Sequence, residues 1–575
     1  MAETLISPGV LARENDISFI APSAIEAGAA IIGPAVKGPV EIPTKVTSYG
    51  QYQNIFGTTF TSGSTKQEFL TSIAVKSYFN QGGNSVIVTR VVNGTFGVAE
   101  STPVAAAIGA VAPFALNTLG KGTVYNSSGS TNTDGSLVNG SPDNVRIEVI
   151  NIDNESGTFG LLVRRGDDNL KNKIVLETWN DLSLDPNSGG YIESVIGNQY
   201  KTKANDGTQY YVNTIGEYVN KSNYITVKQN SVNQTLDYLG NDGSIRVAAA
   251  SGSLPTAQVG AFDGATGVNV STTLAQNKYF GDIADAGTQG IVGTDYANAI
   301  SILGNQDEYV FNIISAPGLI YEFGTHKVQL DSIISLAESR GDNIAVVDLQ
   351  NFGANVTEAT ATAKTVNSSY AASYWPWLQT QSATGKSEWI PASVVIPGVY
   401  AFTDGAAAPW FAPAGLTRGG LGNVIQAERK LTRTQRDTLY SANVNPIATF
   451  PGSGISVFGQ KTLQKKKSAL DRVNVRRLLI ELKKFLGDTA KTLVFEQNTI
   501  ATRNSFLATV TPFLESVVQR QGLYAFRVVM DDSNNTSDTI DRNQLIGQVF
   551  IQPAKTVEFV VLDFTIEPTG ATFSA

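Results

Sequence analysis

Residues 93–300 constrain the fold most, because their composition differs from that of the sequence on either side. Gly, Asn, Ser, Thr and Asp dominate here, and short β-compatible runs lie between turn clusters such as 126–140. This alternation of short strands and turns is typical of antiparallel sheets. The flanking segments instead carry patterns of both strands and helices. The sequence therefore predicts one or two antiparallel β-domains inserted into a split core.

The segment after this insert has the pattern of a parallel β/α unit. Strand, helix and strand at its spacing predict two parallel strands joined by a crossover helix. The predicted strands are 309–314, ended by Pro317 and Gly318, and 343–349. The predicted helices are 324–340 and most of 356–374. Before the insert, the predicted elements are a strand at 29–33, a helix at 66–80 and a strand at 85–92.

Residues 443–486 begin as a turn-rich segment with a short β-run and end in an amphipathic helix. One stripe of that helix is apolar, and it consists of Val475, Leu478, Leu479, Leu482 and Leu486. Arg472, Arg476 and Lys483 fall along the edge of the stripe, which predicts a cationic ridge open to a partner. The same periodicity also fits a solvated basic face. The elements predicted downstream are a helix at 500–521 and strands at 524–530, 545–552 and 556–566.

The length of the chain predicts three or four domains. Charge is unevenly distributed along it. The 575 residues carry a net charge of −8, yet residues 455–530 hold thirteen Lys or Arg against five Asp or Glu. A chain that is acidic overall is unsuited to coating nucleic acid. The local excess of cations instead indicates an acidic protein surface as the partner of this region.

Catalytic chemistry has little support in the composition. Cys is absent, so disulfides and thiolate metal sites are excluded. His326 is the single His, and we expect a structural or exposed role for it rather than catalysis. No catalytic residue and no cofactor are therefore predicted, and the chain is not expected to be an enzyme.

Two short motifs imitate known ligand sites. Residues 384–387 (TGKS) resemble the end of a P-loop, but Thr380 stands where that loop requires its first Gly. A carboxylate-rich loop lacks the spacing of an EF-hand and fits an ordinary Asx turn. Its acidic residues are Asp531, Asp532, Asp538 and Asp541. We therefore predict neither a nucleotide site nor a metal site.

Both ends of the chain read as extended arms, at residues 1–20 and 567–575. Pro8 and Gly9 break any helix near the start, and few core-sized apolar residues accompany them. An arm that cannot bury itself either frays or pairs with the edge of another sheet. Neither a leader peptide nor an apolar run that could span a membrane is evident, so no stable membrane association is predicted.

One block carries a family resemblance. The run NPIATFPGSGISVFGQKTL (445–463), followed by ALDRVNVRRL (469–478), resembles the most recognisable block of contractile-tail sheath proteins. These are the subunits of phage tails, R-type bacteriocins and related injection machines. Further similar stretches are GPAVKGPV, SYFNQGGNSVIVTRVV, AESRGDNIAVVDL and IQPAKTVEFVVLDF. The resemblance covers roughly residues 8–92 and 305–566 and leaves the insert unmatched.

The resemblance implies a mixed α/β (α+β) multidomain fold. We expect a split sheath core with a βαβ unit, a C-terminal domain of helices and antiparallel sheet, and an inserted β-rich outer domain. The expected parts are an N-terminal arm at 1–20, the core at 21–92 and 301–442, the insert at 93–300, a C-terminal inner domain at 443–566 and a C-terminal arm at 567–575.

The resemblance also implies a function and its partners. A sheath subunit is a structural protein that polymerises as a helical sleeve of stacked, hexameric rings around an inner tail tube. The sleeve is assembled in an extended metastable state and contracts after the baseplate is triggered, without nucleotide hydrolysis. The implied partners are other copies of the chain, the tube protein, the baseplate and the tail terminator, with no direct contact to nucleic acid. The implied location is the virion tail, assembled in the host bacterial cytoplasm.

Two sets of residues are predicted to carry this function. The cationic helix is predicted to contact the tube through Arg472, Arg476, Lys483 and Lys484. The arms are predicted to add strands to a neighbour's C-terminal sheet, because backbone hydrogen bonds hold through a change of subunit orientation. The arm residues in this prediction are Leu5, Val10, Ile17, Phe19, Val557, Phe559, Val561 and Phe564.

A second class of function stays open, that of a β-rich receptor-binding or surface adhesin protein. Its support is the Asn-, Thr- and Gly-rich insert. It gives no role to the basic helix, the two arms or the βαβ core. Negative-stain microscopy separates the two classes, because a sheath protein forms striated tubes or rings whereas an adhesin forms discrete globules or trimers.

Overall fold

The structure, a computed structural model, describes residues 25–26, 28–62, 65–106, 112–153, 156–207, 209–228, 254–268 and 283–558. It contains helices and several separate sheets, which confirms the predicted mixed class. Within these ranges no helix combines the length and the hydropathy needed to cross a membrane. The arms predicted at 1–20 and 567–575 lie outside the described residues.

The largest sheet, called the central sheet below, has eight strands. Six neighbouring strands run parallel, and one antiparallel strand closes each edge. In spatial order the strands are Gly454–Val457, Asn445–Phe450, Ala371–Trp375, Ile344–Asp348, Ile313–Ile320, Ala29–Gly33, Val86–Arg90 and Thr44–Val46. Successive side chains point to opposite faces, so Ile31 packs into one apolar cluster and Ile32 into another. The sheet is therefore buried on both faces, as parallel sheets usually are.

Sequence from both sides of the insert meets in this sheet. Ala29–Gly33 pairs with Ile313–Ile320 as its parallel neighbour. Ile313–Ile320, the helix Gly324–Arg340 and Ile344–Asp348 form a parallel βαβ unit, which confirms that prediction. The strand was predicted to stop before Pro317, and this is wrong. The strand continues through Pro317, with a shift in its pairing register between Ser315 and Ile320.

Two predicted helices are shorter in the structure. The helix predicted at 66–80 begins at Leu70, because Thr65–Glu68 pairs as a strand with Thr59–Ser62. The helix predicted over most of 356–374 ends at Ala363. Ala371–Trp375, which begins within that range, is instead a buried strand with a parallel neighbour on each side. Here sheet pairing and burial outweigh local propensity.

The insert sheet has seven strands, and all its pairings are antiparallel. In spatial order its strands are Val175–Ser183, Thr158–Arg165, Val145–Asp153, Gln258–Asp263, Val98–Ser101, Ala115–Lys121 and Ile225–Lys228. It has an apolar core of its own, in which Leu161 is fully buried. Two ion pairs join the insert to the loop that follows Ala29–Gly33 in the central sheet. They are Lys37–Asp143, at 3.3 Å, and Lys203–Glu41, at 2.5 Å.

The remaining elements are helices and short sheets. The helices are Tyr49–Phe56, Leu70–Asn80, Ile192–Val195, Ala297–Ile302, Gly324–Arg340, Val356–Ala363, Ile396–Ala406, Gly415–Arg418, Arg433–Ser441, Val473–Lys491, Ile500–Gln519 and Ser537–Asp541. The short sheets pair Ile25–Glu26 with Tyr309–Val310, Thr59–Ser62 with Thr65–Glu68, Tyr200–Asn205 with Tyr210–Ile215, and Leu378–Gln381 with both Ser387–Ile390 and Gln426–Ala427.

The C-terminal unit consists of a helix pair, Val473–Lys491 and Ile500–Gln519, and a terminal hairpin, Leu523–Val529 with Gln548–Pro553. The second helix runs on through Pro512. The two hairpin strands lie within a few residues of their predicted positions. Of the third predicted strand, 556–566, residues 556–558 are not in a strand and the rest lies outside the described part of the chain.

Candidate interaction surface of the C-terminal unit

The amphipathic stripe of the Val473–Lys491 helix lies where the sequence predicts it. Leu478 and Leu482 are buried in one apolar cluster, and Leu479 and Leu486 pack at its margin. Val475 is also buried. The second helix supplies the opposite side of this cluster through Val510, Leu514 and Val517, each fully buried. Burial of one stripe fixes the orientation of the helix.

Arg476 does not belong to an open ridge. Its side chain is buried, and its guanidinium donates hydrogen bonds to the backbone oxygen and the hydroxyl of Ser369. The same guanidinium lies 3.9 Å from the centre of the Tyr370 ring. Burial lowers the pKa of the Arg476 guanidinium. Arg476 therefore anchors the 367–370 loop against the helix, a contact that a helical wheel cannot reveal.

Arg472 is held by a carboxylate of its own chain. Its Nε donates to Glu558 Oε1 at 2.6 Å and its Nη2 to Glu558 Oε2 at 3.0 Å. A second ion pair joins it to Asp471. The neighbouring Gln460 donates to Thr556. These bonds fasten residues 556–558 to the start of the helix.

The predicted strand-exchange residues fall into two groups. Val557 is described, lies outside any strand and is 79% exposed, although both neighbours are bonded to their own subunit. The others lie outside the described residues, and they are Leu5, Val10, Ile17, Phe19, Phe559, Val561 and Phe564. The structure therefore gives no position for these seven.

Lys483 and Lys484 are the predicted cations that face outward. Lys483 donates to the Tyr370 hydroxyl at 3.1 Å and so lies beside the 367–370 loop. On another side of this loop the backbone N–H of Lys465 donates to Asn367 at 2.9 Å. Lys465 is not among the predicted site residues, although it belongs to a run of three lysines at 465–467. All three are exposed. Lys465, Lys466, Lys483 and Lys484 are called the cationic edge below.

The terminal hairpin exposes both its edges and one face. Phe526, Val528, Val549 and Ile551 pack toward the helix pair. On the opposite face Phe550 stays 56% exposed. In the described part of the chain no third strand pairs with either outer edge. Unpaired edges of this kind are ready to accept an extended segment from another chain.

The residues considered for other chemistry have structural contacts. His326 is buried and accepts a hydrogen bond from the Ile320 N–H, and burial lowers the pKa of its imidazole. Residues 384–387 lie at the turn of a β-hairpin rather than between a strand and a helix. Asp532 pairs with Arg503 at 2.7 Å. Among the residues that the structure describes, no three His, Asp or Glu side chains are grouped as a metal would require.

Comparison with known proteins gives matches to one family. The sequence model of the phage tail sheath protein central domain matches residues 289–463, and that of the phage tail sheath C-terminal domain matches residues 465–567. The tail sheath protein of Vibrio phage KVP40 is 39% identical over 189 residues, which are 33% of this chain and 28% of that protein. The tail sheath protein of Enterobacteria phage T4 is 38% identical over 187 residues, 32% of this chain and 28% of that protein.

A solved structure is similar over most of the chain. It is the crystal structure of the sheath tail protein from Listeria innocua, with a TM-score of 0.53 and 11% identity, over 92% of this chain and 96% of that one. At this identity the likeness shows the fold alone. The matches to the two phage proteins each span less than a third of the relative's length.

Proposed function

This chain belongs to the contractile-tail sheath protein family, and we propose that it is a structural subunit of a contractile tail sheath in a virion. In this proposal many copies form a helical sleeve of stacked rings around an inner tail tube, with the baseplate and a tail terminator at its ends. The sleeve is assembled in the host cytoplasm in an extended state and shortens when the baseplate is triggered. Shortening drives the tube through the target envelope without nucleotide hydrolysis.

The observation that carries this proposal is the terminal hairpin. It is a two-stranded sheet with both outer edges open within the described residues, and two-stranded sheets are marginal by themselves. Strands added from neighbouring copies would complete it. The added backbone hydrogen bonds would tether subunits while their side-to-side contacts change. A sleeve whose subunits rotate without detaching needs a tether of this kind.

The arms are the proposed donors of those strands. One donor segment lies within Leu5–Phe19, and the other lies beyond Glu558. The bidentate Arg472–Glu558 pair supports a starting point for the C-terminal donor, because it holds the chain on its own subunit up to that residue. Exchange in this proposal therefore runs through Phe559, Val561 and Phe564, with Val557 as the link.

Deleting residues 1–16 tests the tether. We expect soluble monomers whose circular dichroism and unfolding midpoint match those of the full chain and which form no tubes or rings in negative stain. Normal polymers from the deleted chain would refute the tether. Discrete globules or trimers from the full chain would favour the receptor-binding or adhesin alternative instead.

The cationic edge is the proposed contact with the tube. Lys483 and Lys484 would meet acidic side chains there, while buried Arg476 positions the Tyr370 loop beside them. Arg472 borders the surface through its pair with Glu558. Exposed ion pairs are individually weak, which suits a contact that must release during contraction.

Reversing the charge of the exposed lysines tests this contact. Lys483→Glu together with Lys484→Glu should prevent extended sheaths from growing on purified tubes while the monomer unfolds as before. The matched control is Lys171→Glu with Lys201→Glu, two exposed lysines of the insert. Normal sheath growth by the first variant would show that the tube contact lies elsewhere.

A further inference from the structure

The loop between the paired helices carries an aromatic side chain that its own subunit leaves uncovered. Phe495 is 103% exposed, as open to water as in a free peptide. Val494, its neighbour in sequence, and Ile500, the first residue of the following helix, are 61% and 63% exposed. Together Val494, Phe495 and Ile500 form the apolar knob of the molecule. Contiguous apolar patches that stay exposed to water mark interaction sites.

The backbone at the knob is strained as well. Phe495 has φ of +73°, in the left-handed region that bulky residues rarely adopt. Such a conformation persists where the surroundings fix it, and it is concentrated at functional positions. Here the ring gains no burial in return, since its side chain is fully open. A role outside the subunit accounts for both observations.

A groove lies at the other end of the same helix. It has a volume of about 730 Å³, and Ala469, Val475, Pro553 and Val557 supply its apolar lining. A groove of this size has room for one aromatic ring and its neighbours. Buried aromatic anchors in such pockets supply much of the binding energy of protein interfaces.

The knob cannot reach the groove of its own subunit. The groove is lined by the first turn of the Val473–Lys491 helix, and the knob follows the last turn. The helix has 19 residues, which at about 1.5 Å each separate the two features by about 28 Å. A second copy of the chain can bring its knob to this groove.

The charges around the two features are complementary. Glu496 adjoins the knob, and Lys467 and Lys555 line the groove. None of the three has an oppositely charged side chain within 4.0 Å among the described residues. The two carboxylates of the groove, Asp471 and Glu558, are already paired with Arg472. Its three cations and two carboxylates leave the groove with a net charge of +1, and the two lysines face an apolar segment that carries a carboxylate.

We propose that the knob of one copy seats in this groove of a second copy, with Glu496 against Lys467 and Lys555. The inference rests on the proposed self-assembly and adds a contact distinct from strand exchange. Because the two surfaces differ, the contact is heterologous and propagates head to tail, closing a ring or continuing as a helix.

Phe495→Asn tests the knob. Asn tolerates the left-handed backbone, so the substitution removes the apolar ring without adding strain. We expect the critical concentration for polymerisation without tubes to rise about tenfold or more, the scale of losing an interface anchor. The matched control is Tyr200→Asn, an exposed aromatic of the insert that should leave it unchanged. Equal critical concentrations for Phe495→Asn and the native chain would overturn the proposal.

A charge exchange identifies the receptor of the knob. Glu496→Lys alone, and Lys467→Glu with Lys555→Glu, should each weaken polymerisation, and mixing the two variants in equal amounts should restore it. Failure of the mixture would overturn the proposal, because the knob or the groove would then meet something else, such as the tube, residues 1–24 or residues 559–575. If the native chain itself never polymerised, the sheath proposal would fail instead.

Discussion

The central sheet and the terminal hairpin are both sheets backed by helices, yet they differ in completeness. Every residue of Ile313–Ile320 and Ile344–Asp348 is buried, and each of these strands has a parallel neighbour on both sides. The hairpin has a packed face, an open face and two edges without a partner strand in the described part of the chain. The central sheet has all of these hydrogen-bonding partners within the subunit, whereas the hairpin has unpaired edges within the described residues.

This difference separates the region that stabilises the monomer from the surfaces exposed to other chains. Burial on both faces concentrates the free energy of unfolding in the central sheet. The open face and edges of the hairpin, the exposed knob and the cationic edge bury little surface within the described monomer, so they add little to its free energy of unfolding. In the proposed sleeve, this separation would let subunits change their arrangement without unfolding.

The largest expected effect sets the two sheets directly against each other. Ile314→Ala in the central sheet should lower the free energy of unfolding by about 2–5 kcal/mol, because Ile314 is fully buried and its loss leaves a cavity. Phe550→Ala on the open face of the hairpin should change it by less than about 0.5 kcal/mol. Urea unfolding of the monomers measures both. If both substitutions lowered the free energy of unfolding equally, the two sheets would not differ in their contribution to stability.

A pH series sharpens the contrast from inside the central sheet. Burial raises the pKa of the Asp348 carboxyl from 3.8 to about 7, and hydrogen bonds from Ser393 only partly offset this. Between about pH 4 and 7 the folded chain keeps a proton that the unfolded chain releases, so the free energy of unfolding falls as pH rises. Asp348→Asn should remove that slope, and by pH 7 its free energy of unfolding should have risen by about 4 kcal/mol relative to that of the native chain. Parallel pH curves for the two proteins would contradict this assignment.

A buried arginine and an exposed lysine on one helix, Arg476 and Lys484, test the contrast within the C-terminal unit. Arg476→Ala should lower the free energy of unfolding by about 1–2 kcal/mol, since it leaves the Ser369 oxygens without donors and uncovers the Tyr370 ring. Lys484→Ala, the exposed control on the same helix, should stay within about 0.5 kcal/mol. Thermal unfolding at equal concentration compares them. A cost for Lys484→Ala that matched that of Arg476→Ala would mean that burial does not separate these cations.

The smallest expected effect concerns the ion pair between Glu558, the last described residue, and Arg472 at the start of the Val473–Lys491 helix. Glu558→Gln weakens a partly exposed pair with Arg472, so the free energy of unfolding should fall by at most about 1 kcal/mol. Its clearer effect should be on proteolysis, because freeing residues 556–558 exposes them to limited trypsin digestion at Lys555. An unchanged digestion rate would show that the pair does not hold this segment.

Several features could be predicted from local pattern because their cause is local. The apolar stripe from Val475 to Leu486 predicts the buried face of its helix, and the strand–helix–strand spacing of 309–349 predicts the parallel unit. The prediction over 356–374 is wrong because Ala371–Trp375 gains two partner strands that the local sequence does not show. Arg476 was predicted to face outward for a similar reason, since the loop that covers it lies more than a hundred residues away.

Sequence alone determined the mixed class, the acidic chain with a basic C-terminal zone, and the absence of cysteine chemistry, because these follow from composition and periodicity. Only the tertiary structure decided which basic side chains are buried, which sheet edges stay open and where the Phe495 knob stands relative to the groove. Those properties depend on contacts between distant segments, and no short window of sequence contains both partners of such a contact.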